Sequence, residues 1–262
     1  MEEKLLVLLV GQSNMSGRGY LTDEDIFEIP ELTAIRRDFQ WIPAVDPFNF
    51  DRLNLLGLSE SADPFEVKGL TLCGKQRCGV GPGRTFGRLM LKKFPNKKVG
   101  LIPASIGGTA VAAWLPGGKD RWSEAHPYDD SIILAKEALK CGKIVAVLWH
   151  QGESDAAENT PDYKEKLKTV IANFRKDLNI PDVPFILGGL GTFLNPAWPT
   201  ADFNRMIEET AKETPCCGFV SAEGLTDRGD HLHFDTESQH ELGRKYWKEY
   251  CKIAGIKEDS DE

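Results

Sequence analysis

What this 262-residue chain lacks narrows it first. The apolar run near its start, Leu5-Leu6-Val7-Leu8-Leu9-Val10, is six residues long, far short of the roughly 20 that cross a bilayer. Glu2 and Glu3 stand where an export signal would carry positive charge. There is no excess of basic residues: the net charge is −8 and the sequence pI is near 5.3, which argues against nucleic-acid and anionic-membrane partners. The six cysteines show no paired metal spacing, since Cys73 and Cys78 are too far apart for a zinc knuckle and Cys216-Cys217 are adjacent. There is no His-Glu-x-x-His helix. We expect reduced thiols, mostly buried, and a cytoplasmic protein, unless the chain starts after a removed segment. No repeat, linker or second zone of composition appears. Residues 1–255 are read as one domain with a long insertion at 18–79, and 256–262 as an acidic, frayed tail.

Strong alternation is present instead. Apolar strands are predicted over Leu5–Val10, Lys98–Pro103, Ile144–Trp149, Pro184–Leu190 and Gly218–Val220. Between and after them, helical spacing marks 82–94, 129–141, 163–178, 203–213 and 236–253. The stripe Ile132, Ile133, Ala135 and Leu139 is expected to be buried, and Thr236 with Gln239 reads as a capping box. Unbroken apolar strands suit a sheet covered on both sides. The fold class is therefore α/β: a doubly wound, flavodoxin-like parallel sheet of about five strands with helices on both faces. The 18–79 segment is rich in Pro, Asp and Asn and lacks clean periodicity. Its Trp41, Phe48, Phe50 and Phe65 are expected to pack it onto the domain.

In such a sheet the carboxyl ends of the strands face one way, so groups that follow them converge. Gly11-Gln12-Ser13-Asn14-Met15 follows the first strand and Ser105-Ile106-Gly107-Gly108-Thr109 the second. Trp149-His150-Gln151-Gly152-Glu153-Ser154 closes the third, and Asp230-His231-Leu232-His233 precedes the last helix. Alone, a serine after a strand is more often a helix cap than a nucleophile. Together the four clusters supply what acyl transfer requires: a hydroxyl, an imidazole to take its proton, a carboxylate to orient the imidazole, and amide donors for an oxyanion.

These four blocks, in this order, resemble the SGNH hydrolase superfamily. They are most similar to its carbohydrate-esterase branch of sialate O-acetylesterase-like and acetylxylan-esterase-like proteins. The resemblance runs from Leu5 to about Gly243 and is weakest between Tyr20 and Gly79. It implies a serine esterase removing O-acetyl groups from a carbohydrate, with Ser13 as nucleophile, His233 as base and Asp230 as its partner. It further implies Gly108 and Gln151 as oxyanion donors, where the wider superfamily has Asn in place of Gln. No cofactor or metal is implied, and the partner is a small-molecule or oligosaccharide acyl ester. Three alternatives stay open within the match. Gly107 competes with Gly108, and Glu153 is either a support for the Ser13 loop or the group that orients the base. Of His231 and His233, two apart, only one can reach Ser13 from an extended segment.

Three rivals compete with this reading. A metallohydrolase would use His150, Glu153, Asp230, His231 and His233 as ligands. A non-catalytic sugar-binding protein would stack sugars on Trp114, Trp122, Trp149 or Trp198, though tryptophans in a chain of this size are more often core. An esterase or thioesterase acting on a non-sugar acyl group would keep the triad, which does not name the acyl group.

Overall fold

The computed structural model describes residues 3–49, 72–73 and 76–257. Strand β1 (Lys4–Gly11) lies at the centre, parallel to β7 (Val99–Pro103) on one side and to β8 (Gly142–His150) on the other. Beyond β8 come β9 (Phe185–Gly188) and β10 (Cys217–Val220), again parallel. The order β7-β1-β8-β9-β10 is the doubly wound arrangement read from the sequence. The sheet is wider than the five strands expected. The hairpin β3 (Leu32–Ile35) and β4 (Trp41–Pro43) extends it to seven, with β3 parallel to β7 and β4 antiparallel to β3. These two strands come from the segment read as an insertion. Short strands are what a segment of this length needs in a compact domain, but the sequence does not place them, because each is too short to show a period and Asp and Pro residues interrupt the pattern. A small antiparallel sheet joins β2 (Gly19–Tyr20), β5 (Leu72–Cys73) and β6 (Gln76–Val80).

Alternate residues of β1 enter opposite layers, as a period of two requires. Leu6, Leu8 and Val10 join the core under α3 (Pro127–Ala138), α5 (Tyr163–Asp177) and α6 (Thr200–Glu213). Val7 and Leu9 join Phe86 and Met90 of α2 (Pro82–Lys93) and Leu242, Tyr246 and Trp247 of α7 (Thr236–Ala254) on the other face. Burying apolar surface on both sides is what holds the strand, at about 25 cal/mol per Å².

Helix boundaries and caps differ from the sequence reading in informative ways. Helix α3 opens with Pro127 in its first turn, where the missing N–H costs nothing, and ends at Ala138 in a 3-10 turn. Its phase is also shifted: Ile133 is exposed, while Leu134 and Ala138 are buried beside Ile132 and Ala135. Helix α7 is capped one residue earlier than the expected box, by Asp235 accepting from the Ser238 N–H at 2.8 Å. The Thr236 hydroxyl instead donates to the Tyr20 carbonyl at 2.6 Å. Ile256, assigned to the tail, packs against the α7 side of the core, and its N–H donates to the Cys251 carbonyl.

The long segment is held by polar contacts as well as by aromatics. Buried Arg84 on α2 donates to the carbonyls of Ala44, Glu24 and Phe27. Asp25 Oδ1 accepts from the His240 Nε2–H at 2.8 Å. Phe48 is buried and Trp41 half-buried, as expected; Phe50 and Phe65, and the tail from 258, lie outside the described residues. No disulfide joins Cys141, Cys216, Cys217 and Cys251, of which Cys251 alone is buried; the side chains of Cys73 and Cys78 lie outside the described residues. Among the described residues no helix is long and apolar enough to cross a membrane.

Candidate active site

The reversal of strand order falls between β1 and β8, the place where doubly wound sheets open a crevice at their carboxyl ends. Gly11 makes the turn there possible. Its φ is +127°, and a Cβ on it would lie 2.1 Å from the His150 carbonyl oxygen. With no side chain, β1 stays against β8 and the Gln12 N–H donates to that same carbonyl at 2.8 Å. The short helix α1 (Ser13–Ser16) then starts, with Gln12 in the cap position. Ser13 is thus the first helical residue and does not cap the helix.

Its hydroxyl meets the Asp230–His233 turn. Ser13 Oγ lies 3.1 Å from His233 Nε2, and His233 Nδ1 lies 2.7 Å from Asp230 Oδ2. The other Asp230 oxygen accepts from the N–H groups of Leu232 and His233 at 3.0 and 2.8 Å. Arg228 Nε donates to Asp230 Oδ2 at 2.7 Å. Burial works to raise the Asp230 pKa, but the His233 and Arg228 hydrogen bonds outweigh it and hold the carboxyl well below its usual range. Burial is the leading influence on His233 and lowers its pKa, while Asp230 opposes it only in part. The ring is therefore neutral near pH 7, with its proton on the nitrogen that faces the carboxylate. His231 is largely exposed, with φ +55°, and lies 3.7 Å from Asp227. Of the two histidines, His233 is the one beside Ser13.

Asn14, next to the serine, was not singled out from the sequence. Its Nδ2 donates to Glu153 Oε1 at 2.5 Å and to the Leu232 carbonyl at 3.2 Å, and its Oδ1 accepts from the Phe234 N–H at 3.1 Å. It thus grips the chain on both sides of His233. Glu153 is buried, 3.5 Å from His150 Nε2, and among the described residues no hydrogen bond joins it to His233. Burial would raise the Glu153 pKa, but the neighbouring His150 imidazole and the hydrogen bond from Asn14 more than offset it and keep the group ionised.

The third block faces inward. Gln151 is fully buried, and its Nε2 donates to Asp155 Oδ2 at 2.6 Å and to the Thr109 carbonyl at 3.0 Å. The same Asp155 oxygen accepts from the Val111 N–H at 2.8 Å, tying the Gly107-Gly108 turn to β8. Both hydrogens of the Gln151 amide are therefore engaged inside the fold, away from an oxyanion. Gln12 presents its Oε1 to Gln151 Nε2 and the N–H groups of Gly152 and Ser154 at 3.4 to 3.5 Å. A carboxamide whose oxygen faces three donors turns its NH₂ the other way. Gly108 is exposed with φ +81°, in open space, while Gly107 is half-buried. Asn14, Gln12 and Asp155 left no distinct sequence signal beyond their positions inside the blocks.

The proposed metal ligands are dispersed: among the described residues no three His, Cys, Asp or Glu side chains gather as a metal site. Of the tryptophans, Trp114 and Trp149 are core residues packed edge to face at 5.2 Å, Trp198 is half-buried, and Trp122 is exposed.

A family model described as carbohydrate esterase, sialic acid-specific acetylesterase, matches residues 3–252. A probable carbohydrate esterase of Arabidopsis thaliana is 30% identical over 272 residues, covering 94% of this chain and 91% of that protein. The X-ray structure of the Arabidopsis protein superposes with a TM-score of 0.71 at 26% identity, covering 95% of this chain and 98% of that one. The crystal structure of NanS gives 0.71 at 16% identity over 97% and 98% of the two chains. An acetylxylan esterase, Axe2 from Geobacillus stearothermophilus, gives 0.53 at 14% identity over 99% of each; these last two show the fold alone. With the family model spanning nearly the whole chain, the protein belongs to the carbohydrate esterase family of sialic acid-specific acetylesterases and is a carboxylic ester hydrolase.

Proposed function

We propose that the protein hydrolyses O-acetyl esters of a carbohydrate through an acyl-enzyme on Ser13. The observation that carries this is the continuous hydrogen-bonded line from Ser13 Oγ through His233 to Asp230. As Oγ attacks the ester carbonyl carbon, its proton passes to His233 Nε2. Asp230 holds the ring in the required tautomer and stabilises the imidazolium that forms. The tetrahedral intermediate collapses by breaking the bond to the sugar oxygen, which takes the proton from Nε2. Water then attacks the acetyl group on Ser13, giving its proton to His233, and acetate leaves as Oγ regains a proton.

The oxyanion donors in this proposal are the N–H of Ser13, which as the first helical residue has no intrahelical partner, the N–H of Gly108, and a side-chain amide. Gln12 Nε2 fits that last role better than Gln151, because the Gln151 amide is already bonded to Asp155 and Thr109. Glu153 acts through Asn14 as a positioning residue, holding the segment that carries His233. No step requires a metal or an organic cofactor.

Hydrolysis of p-nitrophenyl acetate by wild type and Ser13→Ala, each with and without a chelator, tests the proposal. We expect kcat to fall by about 10⁴-fold or more in the variant, and chelation to leave wild type unchanged. Activity indifferent to Ser13 would overturn the acyl-enzyme.

A further inference from the structure

Arg228 stands two residues before Asp230, and every nitrogen of its guanidinium faces the Ser13–His233–Asp230 line or the chain beside it. Nε donates to Asp230 Oδ2 at 2.7 Å, Nη1 donates to the Arg18 carbonyl at 2.9 Å, and Nη2 lies 3.3 Å from His233 Nδ1. The guanidinium carbon is 5.7 Å from the centre of the Tyr20 ring. The Arg228 backbone N–H donates to the His233 carbonyl at 3.0 Å and closes the turn. With its side chain only 13% exposed, the cation is held in one place.

Asp230 is thereby shared. Its Oδ2 faces both Arg228 Nε and His233 Nδ1, each at 2.7 Å, while Oδ1 accepts from the N–H groups of Leu232 and His233. A carboxylate offers about four lone-pair sites, so all of them are taken. The negative charge is divided between the ring and the guanidinium. It therefore favours an imidazolium less than an unshared carboxylate would.

The approach of Nη2 to the ring acts in the same sense. With the ring's proton on Nδ1, toward Asp230, Nδ1 accepts nothing from Nη2, and no hydrogen bond offsets the closeness. A neutral ring tolerates a cation at that distance, whereas an imidazolium is repelled by it. The other groups around the ring complete the balance. Burial is the leading influence against the imidazolium; Arg18 and Arg228 add to it, and Asp230 opposes all three. Arg18 lies between α1 and β2, with its Nη1 on the Gly17 carbonyl at 2.8 Å. Glu153, at the start of α4 (Glu153–Glu158), is bonded to Asn14, and Asp227 faces His231. Ser13, at Nε2, is uncharged.

We infer that Arg228 is a positioning residue of this line: it ties Asp230 to the Arg18 segment, and its charge beside the ring keeps His233 able to accept a proton in acidic solution. The inference rests on the esterase reading above and adds what sets the working pH of the base.

The test follows two quantities in wild type, Arg228→Gln and Arg228→Lys. One is the acid limb of kcat/KM for p-nitrophenyl acetate. The other is the titration of the His233 ring by NMR, its signal identified by its loss in His233→Gln. Gln keeps a donor for Asp230 without the charge, and Lys keeps the charge without the fork. In Arg228→Gln both the limb and the ring titration should move up by about one pH unit, whereas in Arg228→Lys both should stay close to wild type. A merely structural arginine would lower Tm and kcat and leave the titration in place. An unmoved or lowered titration in Arg228→Gln therefore overturns the inference. So does a raised titration in Arg228→Lys, which keeps the ion pair and reads the same point should Arg228→Gln fail to fold. Failure of the esterase reading shows separately, as p-nitrophenyl acetate hydrolysis that survives Ser13→Ala while the ring titration still responds to Arg228.

Discussion

On the β8 side of the crevice the polar groups are sealed in, whereas on the side of the Asp230–His233 turn they meet water. His150, Gln151, Glu153 and Asp155 are buried almost completely. The Asp230 side chain is 32% exposed, and that of His233 13%. Both sides hold a carboxylate close to an imidazole, yet the settings favour different work. A buried ionised group must keep all its partners, because leaving one unpaired costs several kcal/mol; such a cluster fixes geometry. A half-exposed pair can exchange protons with solvent and admit a substrate. Asn14 links the two, with one amide bonded to Glu153 and to the backbone flanking His233.

Changing the open side should give the larger effect on rate. Asp230→Asn removes the charge that favours the required tautomer and should lower kcat by about 10³- to 10⁴-fold with little change in Tm. The pH profile sharpens this. His233 has a lowered pKa and, as the proposed base, must be neutral to accept the Ser13 proton. The acid limb of kcat/KM in wild type should therefore lie below the ordinary imidazole value of 6.5. Because Asp230 raises the His233 pKa against burial, any residual activity of Asp230→Asn should show that limb at still lower pH. A limb above 6.5 in wild type would break the assignment.

A smaller effect separates the two glutamines that meet at the floor. Gln12→Ala should lower kcat by about 10²-fold through loss of the proposed oxyanion donor, with about 1 kcal/mol of stability lost as well because its buried Oε1 faces the Gly152 and Ser154 N–H groups. Gln151→Ala removes one donor from Asp155 and one from the Thr109 carbonyl and should cost about 1–3 kcal/mol of stability, measured by denaturant unfolding. The reverse pattern, with kcat falling at constant stability in Gln151→Ala alone, would return the oxyanion role to Gln151.

Much of this architecture was legible in advance because it rests on periodicity. The runs at Leu5–Val10 and Ile144–Trp149 are unbroken because both faces of the sheet are covered, and buried strands leave that trace. The four blocks could be seen to share one end of the sheet because parallel strands all point the same way. What escaped lies in features without a period. Strands β3 and β4 are short, and part of what holds their segment is three backbone carbonyls bonded to Arg84, which no pattern of side chains records. The choice between Gln12 and Gln151 depends on which way each amide turns, and the two have identical side chains. The separation of Glu153 from His233 is likewise a matter of depth, and sequence spacing carries no depth.

That separation can be broken by one conservative change. Glu153→Gln keeps an oxygen for the Asn14 amide but removes the charge beside His150. Stability should fall by about 1–3 kcal/mol, since a buried pair loses one ion while its packing volume is kept. If Glu153 only positions the His233 segment, kcat should drop less than tenfold and the acid limb of kcat/KM should stay where wild type has it. If it orients the base, the limb should move to lower pH, as in Asp230→Asn, and kcat should fall by a comparable factor. The two carboxylates would then share a task, and the contrast between the sealed and open sides would no longer describe how the base is held.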